Sequence, residues 1–186
     1  MTPILIDGPA VEPVSPADMR AYLRLDDGAE DDLLAALIKA ARLQVEAVAG
    51  RVLADSRWRI ALDRWPEDRV VHLPVSPLIA VERLRVFDRD GQAADVPPSF
   101  FEADALSDPP CVIVDPRAPE PTRARQGVSI EVRAGYGATP ESVPEPLRQA
   151  VRLLVARWFE NRGDADPGPP PPDVLALVAP FRRMRL

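Results

Sequence analysis

The sequence is most constrained by the stretch from Ser129 to Arg162, in which an alternating segment, a glycine turn and a long amphipathic helix follow one another. Apolar residues from Ile130 to Ala134 alternate with charged ones, and this period of two predicts a half-buried strand. The Gly135–Gly137 turn then leads through several prolines into a helix, whose first turn tolerates proline because the missing N–H has no intrahelical partner there. The helix carries an apolar stripe that is expected to lie in the core or at a contact between subunits: Leu147, Val151, Leu154, Val155 and Trp158.

A first, short helix is predicted over residues 16–25. Ser15 is a favourable N-cap residue, and Pro16 suits the first helical position. Asp18 places a negative charge near the positive end of the helix dipole, so the beginning of this helix is well specified.

A second, longer helix is predicted over residues 30–49. The spacing of Asp27 and Glu30 fits a capping box, and Gly50 supplies the stop. The acidic residues around this helix start lack the ligand register of a calcium loop. They are interpreted as a solvated helix start that the helix dipole stabilises.

Between residues 52 and 134 the apolar period changes from 3.6 to 2, which predicts about six short strands of an antiparallel sheet. Asp90-Gly91 predicts a hairpin turn, because glycine adopts the positive φ that such a turn needs. The predicted fold class is α+β and mainly helical. The N-terminal helices pack with the long helix over residues 144–162, the β region is inserted between them, and an extended C-terminal arm follows.

The chain is expected to form one domain over residues 1–163, because its length supports a single core. Residues 164–172 are rich in proline and predict an extended, semi-rigid spacer. Residues 173–186 combine apolar positions with a basic tip, which predicts a helix and tail that dock on a partner. The alternative is a terminal helix that packs on its own domain. The residues predicted to dock are Val174, Leu175, Leu177, Val178, Phe181, Arg182, Arg183 and Arg185.

The composition argues against several classes of function. A net charge of −6 argues against a general nucleic-acid binder, which needs a basic face to displace counterions. One cysteine, Cys111, and one histidine, His72, leave little for a metal site or a nucleophile–base pair. No apolar run reaches the roughly 20 residues that span a bilayer, and no signal peptide is predicted. No catalytic residue, cofactor, metal ion or membrane contact is therefore predicted.

The order of these signals resembles the head–tail connector, or adaptor, proteins of tailed bacteriophages and phage-like gene transfer agents. Each matching stretch is weak alone, whereas their order and spacing are more specific. The stretches that carry the resemblance cover most of the chain: Pro16–Asp26, Asp31–Arg51, Trp58–Pro66, Leu73–Leu78, Ala134–Gly137, Val143–Ala150, Trp158–Arg162 and Leu177–Arg182.

The resemblance implies a structural protein that forms a ring, commonly of twelve copies, beneath the portal protein. Such a ring continues the DNA channel, passes DNA without reading its sequence, and offers a surface to the next connector, stopper or tail component. Its implied location is the head–tail junction of a virion or gene transfer agent particle, assembled in the bacterial cytoplasm. The family's C-terminal segment typically reaches the portal, which agrees with the interpretation of residues 173–186.

Two other classes of function stay open on the residues alone. A pocket between sheet and helices would make the chain a non-catalytic module that binds a small molecule or a peptide. Carboxylate pairs such as Asp63 and Glu67 would allow an enzyme that uses acids only, provided that a cleft brought two of them together.

Overall fold

The computed structural model describes residues 1–161 and 168–182. Among these residues there are four α-helices and eight β-strands. Helices α1 to α4 span Pro16–Leu23, Asp31–Ala49, Glu145–Glu160 and Pro172–Val178. Strands β1 to β8 span Pro3–Asp7, Ser56–Leu62, Val70–His72, Leu78–Phe87, Ala93–Asp95, Phe101–Asp104, Cys111–Val114 and Val128–Ala134.

The prediction of a mainly helical fold is wrong, because helices make up 34% and strands 24% of the described residues. The fold is a mixed α+β fold whose strands form two antiparallel sheets. The count of about six strands missed β1, which precedes the region predicted to hold the strands, and the short β5. Short strands broken by prolines and turns give weak periodic signals, whereas the two long helices dominate the sequence pattern.

The chain divides into two compact units. The β unit consists of Met1–Pro9 and Asp55–Gly135, and the helical unit consists of Ala10–Ala54 and the chain from Tyr136 onward. In the β unit, one sheet has the strand order β1-β2-β8-β4-β5 and the other has the order β3-β7-β6.

Strand β8 is the central strand of the five-stranded sheet. Its Ile130 lies opposite Ile60 of β2 and Leu84 of β4, and all three side chains are buried. Fully burying an aliphatic side chain of this size stabilises the fold by about 1.5–3 kcal/mol. The alternate residues of β8 point to the other face, where Glu131 is only 7% exposed. The strand is therefore buried on both faces, whereas the alternation in its sequence predicted burial on one face only.

The helical unit has its core between α2, α3 and α4. The apolar stripe of α2 is buried at Leu34, Ile38, Ala41 and Val45. It packs in one cluster with Val143 of the turn before α3 and with buried residues of α3 and α4: Leu147, Ala150, Val151, Leu154, Val155, Val174 and Val178.

The helix signals of the sequence have different outcomes. Ser15 caps α1 as predicted, and its side chain and that of Asp18 form a reciprocal capping box. Gly50 ends α2 in the left-handed conformation, with φ of 66°, also as predicted. The capping box predicted for α2 is wrong, because Glu30 is the N-cap of α2 and its side chain makes no cap hydrogen bond. Asp27 instead accepts from the N–H of Ala29, within the preceding turn.

Candidate interaction surfaces

Helix α4 packs on the chain's own helical unit. Val174 and Val178 are 1% and 0% exposed and lie in the core, and Leu177 and Phe181 pack partly against it. This is the arrangement of the alternative interpretation, a terminal helix that covers its own domain. Leu175 points outward with 38% exposure. Docking on a partner stays a prediction for the exposed part of the set, which includes Arg182, whereas Arg183 and Arg185 lie outside the described residues.

A hydrogen bond fixes the end of this segment. The Nε of Arg51, just after α2, donates to the carbonyl oxygen of Phe181 at 2.7 Å. The point from which the chain continues beyond Arg182 is therefore held against the helical unit.

The apolar stripe of α3 lies in the same core. Leu147, Val151, Leu154 and Val155 are all at most 1% exposed, and Trp158 is half-buried against the cluster. Of the two interpretations given for this stripe, the four buried residues fit the core. Trp158 keeps a partly open face near the end of the helix.

An arginine inside the helical unit ties the N-terminal segment to α2. Arg42 is 5% exposed, and its Nε donates to Oε2 of Glu12 at 2.7 Å. Its Nη1 donates to Oε2 of Glu46 at 2.8 Å, while Oε1 of Glu46 accepts from the N–H of Leu53. Burial opposes the charge of Arg42, but the bond to Glu12 and the charge of Glu46 outweigh it and raise the pKa of Arg42. The i,i+4 spacing of Arg42 and Glu46 could have pointed to this pair, whereas Glu12 is too distant in sequence.

Two arginines of α3 are more buried than their position off the apolar stripe suggests. Arg148 and Arg152 have side chains that are 15% exposed, and both donate to the carboxylate of Glu145. Arg148 also donates from Nε to the carbonyl oxygen of Pro13 at 3.1 Å. The bond to Pro13 attaches the segment before α1 to α3.

The five-stranded sheet carries a face of arginines, named here the arginine face, which consists of Arg57, Arg59, Arg83, Arg85 and Arg133. Glu131 of β8 lies at its centre, where its Oε1 accepts from Nη2 of Arg85 at 2.7 Å and from Nη2 of Arg59 at 3.0 Å. Arg57 approaches Oε2 of the same carboxylate at 3.7 Å. Three cations therefore surround one buried anion.

Other carboxylates lie around the rim of the arginine face. Asp7 and Glu82 accept from Arg57, Asp95 pairs with Arg83, and Asp55 pairs with Arg133. Most of these side chains are well exposed, so each pair contributes little to stability. Over the whole face the five arginines meet five carboxylates, and the local excess of cations lies at the centre, where Arg59 and Arg85 share Glu131.

The structure gives little support to a catalytic or metal-binding site. Burial raises the pKa of the Cys111 thiol, which is the opposite of what an activated nucleophile needs. His72 is exposed on β3. The carboxylate of Asp63 accepts a hydrogen bond from the backbone N–H of Gln126 at 2.7 Å. Within residues 1–161 and 168–182, no group of acidic, histidine and cysteine side chains could hold a metal ion. None of the helices in those ranges is long and apolar enough to cross a membrane.

Comparisons with known proteins give one consistent result. No family model and no curated protein matches the sequence. Among solved structures, the fold is similar to a chain from the neck of an empty gene transfer agent particle, computed with sixfold symmetry. The two share 29% sequence identity and a TM-score of 0.84, over 100% of this chain and 97% of the other.

Two further structures agree. A chain from the virion of a native gene transfer agent particle has a TM-score of 0.82 at 29% identity, again over 100% of this chain and 97% of the other. A chain from the neck of a native particle, computed with twelvefold symmetry, has a TM-score of 0.76 at 29% identity, over 98% and 97%. The protein is thus similar over its length to structural chains of gene transfer agent particles, and the predicted localisation in such a particle, at the neck, is confirmed.

Proposed function

We propose that this chain is a head–tail adaptor: its copies form a ring in the neck of a gene transfer agent or phage particle, between the portal and the next connector, stopper or tail component. The observation that carries the proposal is the likeness to a neck chain along the whole sequence, with a TM-score of 0.84 at 29% identity. The role is structural and not enzymatic, which agrees with a buried, unactivated thiol and a solvated histidine.

Symmetry supports the ring. Neck structures of gene transfer agents are computed with sixfold and twelvefold symmetry, and we propose twelve copies for this chain. The net charge of −6 suits the wall of a DNA channel, because fixed positive charge would hold the duplex and hinder its passage.

The portal contact is proposed for the outward side of α4 and the tail beyond it. Val174 and Val178 are buried in the core, whereas Leu175 and Arg182 are exposed, so the proposal assigns the contact to these two residues and to the basic sequence that follows. The bond from Arg51 to Phe181 holds the end of the described segment on the helical unit.

The test is negative-stain imaging of the full-length protein mixed with the portal encoded in the same gene cluster. We expect a ring stacked coaxially on the portal, with twelvefold averages. A protein that stays monodisperse and never associates with the portal would contradict the adaptor role. It would direct attention to the binding-module alternative, which a ligand-dependent rise in melting temperature would support.

A matched pair of variants sharpens the portal contact. Arg182→Glu reverses an exposed charge at the proposed contact, and Lys39→Glu reverses an exposed charge in the middle of α2. We expect only the first to weaken association with the portal. Equal binding by both variants and the wild type would exclude Arg182 from the contact.

A further inference from the structure

Two buried polar atoms on the arginine face have no hydrogen-bond partner among the described residues: Nε of Arg85 and Oγ of Ser129. Arg85 and Ser129 lie directly opposite each other in β4 and β8, so both atoms belong to one place on the sheet. Ser129 is only 6% exposed. Buried polar groups are almost always hydrogen-bonded, so this pair marks a place on the sheet where the described residues leave hydrogen-bonding capacity unused.

Cations outnumber anions at this place. Arg85 and Arg59 share a single oxygen of Glu131. Arg123 lies over the ring of Phe87, 5.7 Å from its centroid, and Arg85 lies over the same ring at 5.9 Å. No described carboxylate pairs with Arg123, so three guanidinium groups are balanced by one carboxylate.

The backbone fixes the position of Arg123. Its N–H donates to the carbonyl oxygen of Phe87 at 3.1 Å, and the N–H of Phe87 donates to the carbonyl oxygen of Gly127 at 2.8 Å. A Cβ at Gly127 would lie 2.6 Å from the carbonyl oxygen of Asp63, so the loop before β8 packs tightly against the backbone that follows β2. The backbone at Arg123 is therefore held beside Phe87 by the fold.

We propose that the site formed by Arg59, Arg85, Phe87, Arg123 and Ser129 receives a carboxylate side chain from a second copy of this chain. The inference rests on the proposed ring and names one contact between its subunits. Guanidinium groups bind oxyanions more strongly than neutral acceptors, and carboxylates pair with them in a defined, often bidentate geometry.

The balance of charges favours a copy of the chain over DNA as the source of the oxyanion. The sequence has 29 acidic and 23 basic residues, so each copy has carboxylates without a cation of its own. This net negative charge of the chain repels a polyanion such as DNA at long range. A neighbouring copy in the ring brings only one acidic side chain to the site. It therefore avoids the repulsion that each phosphate of a DNA backbone would add.

The experiment is arginine footprinting with phenylglyoxal, read by mass spectrometry, on the full-length protein alone and in rings assembled on the portal. We expect Arg59 and Arg123 to become about tenfold less reactive in the ring, because a bound carboxylate covers them. Arg89, exposed on the β4–β5 turn, is the control and should change little. A parallel sample of free protein with a short DNA duplex tests the other source of oxyanion.

A second variant pair keeps the test independent of footprinting. Ser129→Asp places a carboxylate of the same chain inside the site and should block ring formation, whereas the neutral isostere Ser129→Asn should assemble. Melting temperatures of both variants show whether the β unit still folds.

Each outcome decides the proposal. Rings without protection of Arg59 and Arg123, or a folded Ser129→Asp variant that assembles like the wild type, would overturn it and leave a bound water as the partner of the two atoms. Protection by DNA and not by assembly would overturn it in favour of a phosphate site. No ring with wild-type protein would overturn the proposed function and this contact together.

Discussion

Arg42 and Glu12 are thirty residues apart in sequence, yet Nε of Arg42 donates to Oε2 of Glu12 at 2.7 Å within the helical unit. The bond holds the segment before α1 against α2, and Glu46 completes the pair from the next turn of the same helix. Burial raises the pKa of Glu46, and the opposing charge of Arg42 favours its ionised form. The three side chains therefore depend on one another.

Arg42→Met is expected to destabilise the helical unit by about 3 kcal/mol, because it leaves the mostly buried carboxylate of Glu46 and the partly exposed one of Glu12 without their cation. Urea denaturation followed by far-UV circular dichroism measures the change. Lys39→Met is the matched control on the exposed side of the same helix and should cost less than about 0.5 kcal/mol. Equal effects of the two variants would show that the buried network contributes nothing specific.

The first turn of α1 gives a prediction with a pH dependence. The hydrogen bond from the Ser15 hydroxyl lowers the pKa of Asp18, the Ser15 N–H adds to this, and the charges of Arg152 and Arg148 help. Because the folded pKa is lowered, the contribution of Asp18 to stability is present above its ordinary value of 3.8. It is lost as the pH falls through the folded pKa.

Ser15→Ala is therefore expected to cost about 1 kcal/mol at neutral pH and to move the pKa of Asp18 back toward 3.8. Denaturation at pH 7 gives the first quantity, and an NMR titration of the Asp18 carboxyl gives the second. Ser15→Thr, which keeps the hydroxyl, should retain most of both effects. An unchanged titration midpoint in Ser15→Ala would contradict the capping explanation.

Local signals in the sequence were sufficient for most boundaries of the helices and for one turn. Ser15 and Gly50 act within a few residues of themselves, so their chemistry specifies the beginning of α1 and the end of α2. Gly91 adopts φ of 82° in the turn between β4 and β5, as the Asp-Gly pair predicted. Such residues need no knowledge of the rest of the fold.

Features that depend on contacts between residues distant in the sequence could not be predicted from one sequence. Strand β1 is an edge strand with Ile4 and Leu5 both about half-exposed, so it lacks the alternation of a half-buried strand. The core positions of Val174 and Val178 depend on how the chain returns to α2 and α3. The arginine face likewise exists only once β2, β4 and β8 lie side by side, because its members come from three separate stretches.

The turn before α3 gives a steric prediction. Gly137 has φ of +155°, and a Cβ there would lie 2.6 Å from both Cβ and Oγ of Ser142. Gly137→Ala is expected to destabilise the helical unit by about 1–3 kcal/mol through this clash and the strained backbone. Thermal melting measures the loss, and adding Ser142→Gly should recover part of it by removing the obstructing side chain. A neutral Gly137→Ala variant would show that the turn can relax.

Two truncations separate the structural part of the C-terminal segment from the part proposed to dock. Deleting residues 173–186 removes Val174 and Val178 from the core, so it should cost about 3 kcal/mol or more and speed hydrogen exchange in α2 and α3. Deleting residues 183–186 leaves α4 and the bond from Arg51 to Phe181 in place and should leave that exchange unchanged.

The shorter truncation then tests docking on a folded protein. Loss of portal association with native exchange rates would assign the contact to the basic tip. If the shorter variant still stacks on the portal while Leu175→Asp does not, the outward side of α4 makes the contact instead, because Leu175 is its exposed apolar residue. If the longer deletion proves as stable as the full chain, the packing of α4 on its own unit is not maintained in solution, and the whole segment from residue 173 is free to dock.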